Sequence, residues 1–125
     1  MTLARLDEVL AEAVAGGRGV GAFNVIQLEH AEALVAAAEQ TGLPVVFQIS
    51  ENAVRYHGSL APIALATRAI AERAMVPCVL HLDHAVNEPL VDEAVALGFT
   101  SVMYDGSRLA RPAAGAVVRQ PHRRR

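Results

Sequence analysis

Pro77-Cys78-Val79-Leu80-His81-Leu82-Asp83-His84 runs from apolar residues into three ionisable side chains within four positions. An apolar run of this length ending in a polar cluster reads as a buried strand. Packing gives no reason for such a strand to end in His-x-Asp-His, because unpaired polar groups cost free energy in an apolar interior. The cluster therefore marks a site at a strand's end. Side chains alternate along a strand, so His81 and Asp83 point one way and His84 the other. Where the strand is ending, the next residue can turn back toward the mouth, and Asp83 and His84 then share a site.

Working outward, Asn87 is placed to cap a helix with Pro89 in its first turn and Leu90, Val91, Ala94, Val95 and Leu97 on its apolar side. Gly98 ends that helix, and Thr100 to Asp105 reads as a further strand. Upstream, Pro62 opens a helix that continues to about Ala74, and Glu51 to Ser59 reads as a polar loop. Pro44 to Ser50 is a strand rich in β-branched residues. Leu28, Ala31, Leu34, Val35 and Ala38 repeat at helical spacing up to Gly42. Gly19 to Val25 is a short strand, and Leu3, Leu6, Leu10, Ala13 and Val14 share one face of an opening helix.

The order is a helix followed by β-α-β-α-β-α-β, which implies a parallel sheet with right-handed crossovers. An open doubly wound sheet and a (β/α)8 barrel both satisfy it. The barrel is favoured because no Gly-rich phosphate fingerprint follows the first strand. In addition, each strand ends in a different polar residue: Asn24, Ser50, Asp83 with His84, and Asp105. Each alone is an ordinary turn residue, but four in succession suit the C-terminal rim of a barrel. A full barrel needs about 250 residues. The expected architecture is thus a partial (β/α)8 TIM barrel of one N-terminal helix, about four parallel strands and three helices.

The 125 residues, 53% of them apolar, suffice for one domain with a core. Cys78 is the single cysteine and reads as a core residue in a reducing compartment. No signal-peptide pattern opens the chain and no apolar segment reaches the roughly 20 residues of a membrane span, so a cytoplasmic location is expected. The net charge of −2 hides an asymmetry. Residues 1–110 hold 6 Arg and all 13 acids, whereas residues 111–125 hold 5 Arg and no acid. The acidic body argues against a nucleic-acid surface. Residues 110–125 show no clear period and read as a separate Arg-rich, disordered tail. Their Ala, Gly, Pro and Arg bias suggests the hypothesis of a shifted reading frame, which an uninterrupted frame at the locus would remove.

Imidazole is a good zinc ligand, and a neighbouring carboxylate can carry a proton. His81 by itself reads as a core histidine with one ring nitrogen on a backbone carbonyl. His30, among glutamates on a helix, and His57, in a loop, read as solvated. An open-sheet metallohydrolase is another use of a His/Asp cluster, but the remaining ligands expected of it are absent.

The succession Gly21-Ala22-Phe23-Asn24-Val25, Pro44 to Ser50, Leu80-His81-Leu82-Asp83-His84 and Gly98 to Ser107 resembles the N-terminal half of a class II, zinc-dependent fructose-bisphosphate or tagatose-bisphosphate aldolase. The likeness covers about residues 3–109, which sets the expected domain at 1–109 and the tail at 110–125. The resemblance implies that Asp83 is the general acid/base and that His84 is one of three histidine ligands of a catalytic Zn2+. It further implies that Asp105 lies at a second metal position, that Ser50 contacts the aldehyde side of the substrate, and that Asn24 positions bound sugar phosphate. Family members cleave a ketose bisphosphate to dihydroxyacetone phosphate and glyceraldehyde 3-phosphate and are homo-oligomers, without nucleic acid or membrane partners.

The chemistry agrees. Splitting a ketose leaves an enediolate, whose charge is held by a Lys Schiff base or by a metal Lewis acid. All 11 basic residues are Arg, so the first route is closed to this chain. The other two histidine ligands and the phosphate loops fall outside the matched half, so the chain is expected to be inactive alone. The alternative is a non-catalytic half-barrel that self-associates through its open strand edges.

Overall fold

A computed structural model describes residues 3–110; residues 111–125, most of the Arg-rich tail, lie outside them. The described chain runs α1 (Leu6–Ala15), β1 (Gly21–Asn24), α2 (Leu28–Thr41), β2 (Val45–Ser50), α3 (Glu51–His57), α4 (Ala61–Glu72), β3 (Cys78–Ala85), α5 (Glu88–Ala96) and β4 (Ser101–Tyr104). The four strands form one parallel sheet in the order β1-β2-β3-β4. Sequential order and a helix between every pair of strands are the layout of a partial (β/α)8 barrel.

Strand alternation sorts the apolar residues onto two faces. Val45, Phe47 and Ile49 of β2 and Cys78, Leu80 and Leu82 of β3 pack under the helices, against Ala31, Ala38, Ile63, Ala64, Leu90 and Ala94. Val46 and Val79, on the opposite face, meet Val9 of α1 together with Ala4, Leu6 and Val20. The opening helix therefore closes the sheet face that the other helices leave bare. Beyond Val46 and Val79 that face turns polar: Asn24, Gln48, His81 and Ser101 stand at one level across all four strands.

Glu51 to Ser59, expected as a loop, contains α3. Ser50 caps it by accepting the Ala53 amide at 3.1 Å, and Glu51 and Arg55 pair across one turn at 3.2 Å. Gly58 closes it at φ 83°, a left-handed conformation that glycine adopts without a Cβ penalty. Polarity alone had hidden a helix too short to show an apolar stripe. A second difference concerns Asn87: it is the N-cap of α5 but makes no side-chain cap bond.

Candidate active site

The site is built by a break in β3. Leu82 pairs with Val102 and Ala85 with Tyr104, so Asp83 and His84 stand opposite the single residue Met103. This is a β-bulge, which bends a strand and re-aims a side chain. His84 absorbs the extra residue at φ 48°. Left-handed backbone is uncommon for a residue with a Cβ, though His is among the residue types enriched there. The turn carries the imidazole back beside its neighbour. His84 Nε2 lies 3.8 Å from Asp83 Oδ2, and His84 Nδ1 lies 3.6 Å from Asp105 Oδ2.

The three differ in setting. The Asp83 side chain is 13% exposed and that of His84 is 65% exposed. Asp105 follows β4, and its amide donates to Ala85 O at 2.7 Å. Its pKa is held below the ordinary carboxylate value, first by hydrogen bonding from Ser107 and further by His84; the Ser107 amide donates to Asp105 Oδ1 at 3.0 Å.

Ser50 and Asn24 form a second group. Ser50 ends β2 opposite Asp83 in register. It lines a cavity of about 340 Å³ with Asn24, Gln48, Asn52 and Tyr56. Because Ser50 Oγ accepts the Ala53 amide, its hydroxyl proton is the part available to a ligand. All five expected site residues thus lie along the C-terminal end of the sheet: Asp83, His84 and Asp105 in one cluster, and Asn24 and Ser50 beside it.

His81 differs from expectation in its partners, whereas His30 and His57 are exposed as expected and each also holds backbone groups. His81 meets side chains instead of a backbone carbonyl: Ser101 Oγ at 2.6 Å on Nδ1 and Asp83 Oδ1 at 3.2 Å on Nε2. His57, exposed at the end of α3, donates from Nε2 to Ile26 O at 2.6 Å. His30 accepts the Ile26 and Gln27 amides on Nδ1, each at 3.2 Å, at the start of α2.

Sequence reasoning missed Glu51. It is buried, 6% exposed. Its carboxylate accepts the Asn87 amide at 3.2 Å and the Val86 amide at 3.4 Å, as well as the Arg55 guanidinium. It thereby ties the start of α3 to the segment just past His84. No local pattern announced this, because the partners are 35 and 36 residues away.

The donor types at the cluster, one imidazole and two carboxylates, suit a divalent cation such as zinc. Their number does not complete a site: among the described residues no three His, Cys, Asp or Glu side chains converge on one point as a metal set. A catalytic zinc takes three protein ligands. The cluster therefore fits one part of such a site.

A parallel β/α sheet with ionisable groups gathered at the C-terminal strand ends is the construction of (β/α)-barrel enzymes. The family model Fructose-bisphosphate aldolase class-II matches residues 4–118, and the chain belongs to that family. It is 38% identical over 109 residues to the fructose-bisphosphate aldolase of Geobacillus stearothermophilus, covering 86% of this chain and 38% of the relative. It is 42% identical over 100 residues to that of Thermus caldophilus, covering 80% and 32%. A 6-phospho-5-dehydro-2-deoxy-D-gluconate aldolase of Halalkalibacterium halodurans is 38% identical over 109 residues, covering 86% and 38%. Among solved structures, the YdjI aldolase of Escherichia coli K12 shares the fold at TM-score 0.79 and 24% identity, covering 87% of this chain and 42% of that one. The chain thus spans about a third of the length of the curated relatives it matches.

Proposed function

We propose that this chain is the part of a class II ketose-bisphosphate aldolase that supplies the proton-carrying carboxylate and one metal-ligating imidazole, and that it is inactive alone. One observation carries the reading: the β3 bulge sets Asp83 and His84 side by side with Asp105 next to them. In the cleavage direction Asp83 takes the proton from the hydroxyl that becomes the aldehyde oxygen, and the electrons of the breaking carbon–carbon bond pass to the ketone fragment. In the condensation direction Asp83 returns that proton to the aldehyde oxygen. His84 would hold zinc with ligands outside the described residues, and Asp105 would serve a second metal position. When bound, the metal supplies a Lewis acid for the charge on the ketone fragment. Ser50 donates its hydroxyl to the aldehyde-side portion of the substrate, and Asn24 positions the sugar phosphate.

Fructose 1,6-bisphosphate is the first substrate to test and tagatose 1,6-bisphosphate the second. The test is to join residues 3–109 to the remaining portion of the Geobacillus stearothermophilus relative and measure triose phosphate release. Cleavage is expected, with loss of at least about a hundredfold in Asp83→Asn and chelator-like loss in His84→Ala. A chimera that folds and cleaves equally well with Asp83→Asn refutes the assignment. Chelator-sensitive cleavage by the 125-residue chain itself refutes its inactivity.

A second reading rests on the sheet edges. All four residues of β1 are exposed, Phe23 among them at 50%. A half-barrel that pairs with a second copy through β1 and β4 would cover them. Sedimentation separates the two readings: a defined dimer with cooperative unfolding supports pairing, and a monomer removes it.

A further inference from the structure

We infer that His81 and Ser101 are positioning residues that fix which oxygen of Asp83 is free to carry a proton; this deepens the role proposed for Asp83 and rests on it. His81 is 8% exposed and both of its ring nitrogens are engaged, Nε2 with Asp83 Oδ1 at 3.2 Å and Nδ1 with Ser101 Oγ at 2.6 Å. An ionised carboxylate only accepts hydrogen bonds, so Nε2 must bear the proton. In the neutral ring Nδ1 is then an acceptor, and the Ser101 hydroxyl, which rotates freely, supplies its donor. The hydrogen bonds run in one direction, from Ser101 to His81 to Asp83.

Strand geometry makes this chain of contacts. His81 and Asp83 are two residues apart on one face of β3, and Ser101 sits opposite His81 in β4. The chain uses Oδ1 and leaves Oδ2, the oxygen that faces His84 at 3.8 Å. A carboxylate with two equivalent oxygens would rotate between them. Here one is tied down inside the sheet, and the other is presented toward the imidazole and the rim. Both ring nitrogens of His81 are committed, to Asp83 and to Ser101, so its part is to orient Asp83.

The test needs neither metal nor substrate. The 125-residue chain is labelled with nitrogen-15 at histidine and carbon-13 at aspartate, and read by long-range proton–nitrogen and side-chain carboxyl NMR. His81 is expected as the Nε2–H form, with Nδ1 unprotonated and hydrogen-bonded; an Nδ1–H form overturns the assignment. Ser101→Ala should move the Nδ1 resonance toward that of a free ring nitrogen, and an unmoved resonance removes Ser101. His81→Gln keeps an N–H for Asp83 and should hold the Asp83 carboxyl signal near its native position, whereas His81→Leu should displace it. Both variants lose the ring, so equal displacement in the two refutes positioning. If His81→Leu fails to fold, the tautomer and the Gln and Ala variants still decide. A chimera without aldolase activity but with these signals intact leaves the hydrogen-bond chain standing and sinks only the catalytic reading.

Discussion

Glu51→Ala is the most direct probe of what holds the site in shape. The buried carboxylate accepts two amides from the segment just past His84 and one guanidinium. The two amide bonds are long, at 3.2 and 3.4 Å, so each counts for about 1 kcal/mol net, below the range for short bonds to a charged group. The Arg55 side chain is 68% exposed, and its solvent-screened contact adds less than about 1 kcal/mol. The expected loss is about 2 kcal/mol, or roughly 6–12 °C in Tm for a chain of this size. Thermal unfolding followed by circular dichroism reads the loss, and amide hydrogen exchange at Val86 and Asn87 reads its location. A double-mutant cycle with Arg55→Ala should show a coupling below about 1 kcal/mol. Destabilisation under about 0.5 kcal/mol with unchanged exchange at both amides would refute the clamp.

Other outcomes follow from single features. Gly98 sits at φ 94° with space for a Cβ taken by Arg68 Nη1 at 2.7 Å, while Gly58 at φ 83° has nothing within 4 Å. Gly58→Ala should cost about 1 kcal/mol in urea unfolding from backbone strain alone, and Gly98→Ala more, because the guanidinium must also leave. Burial pushes the Cys78 thiol up to about 11 from 9.0; the unfolded chain then loses its proton first. Stability should therefore fall between pH 9.0 and about 11, by at most about 2–3 kcal/mol, and Cys78→Ala should flatten that slope in pH-dependent urea titrations. The Asp105 carboxyl is depressed below 3.8, so its contribution is present above that pH and lost as the pH falls through the lower folded value. The Ser107 amide resonance should follow a titration whose midpoint lies below pH 3.8.

Much of this molecule was legible because strand and helix periods differ. Val45, Phe47 and Ile49 alternate, Ala31 and Ala38 recur at helical spacing, and glycines mark the stops, so the β/α order and the rim positions of Asn24, Ser50, Asp83 and Asp105 could be read directly. The return of His84 to the side of Asp83 was foreseen as a property of a strand end. Its means, a bulge against Met103, depends on the register of β4 and is written nowhere in β3 itself. Helix α3 was missed for a related reason. Seven residues carry too short a pattern, and what stabilises them is capping by Ser50 and a carboxylate whose amide partners lie on another loop. The partners of His81 were likewise invisible, since one of them is 20 residues away.

The division of labour proposed for the end of β3 is consistent with burial. A group that moves a proton must present one oxygen in one direction before the substrate arrives, because reorientation adds to the barrier. Asp83 meets that need: it is nearly enclosed, and one oxygen is held by His81. A metal ligand needs the opposite, an imidazole whose nitrogen stays open to a cation and to ligands from elsewhere. His84, largely exposed and more than 3.5 Å from both carboxylates, meets it. Regular alternation would send two adjacent strand residues to opposite faces, so the two can face one site only if the backbone turns between them. The left-handed φ of His84 is that turn, so the strain falls on the residue whose openness the proposed reaction requires.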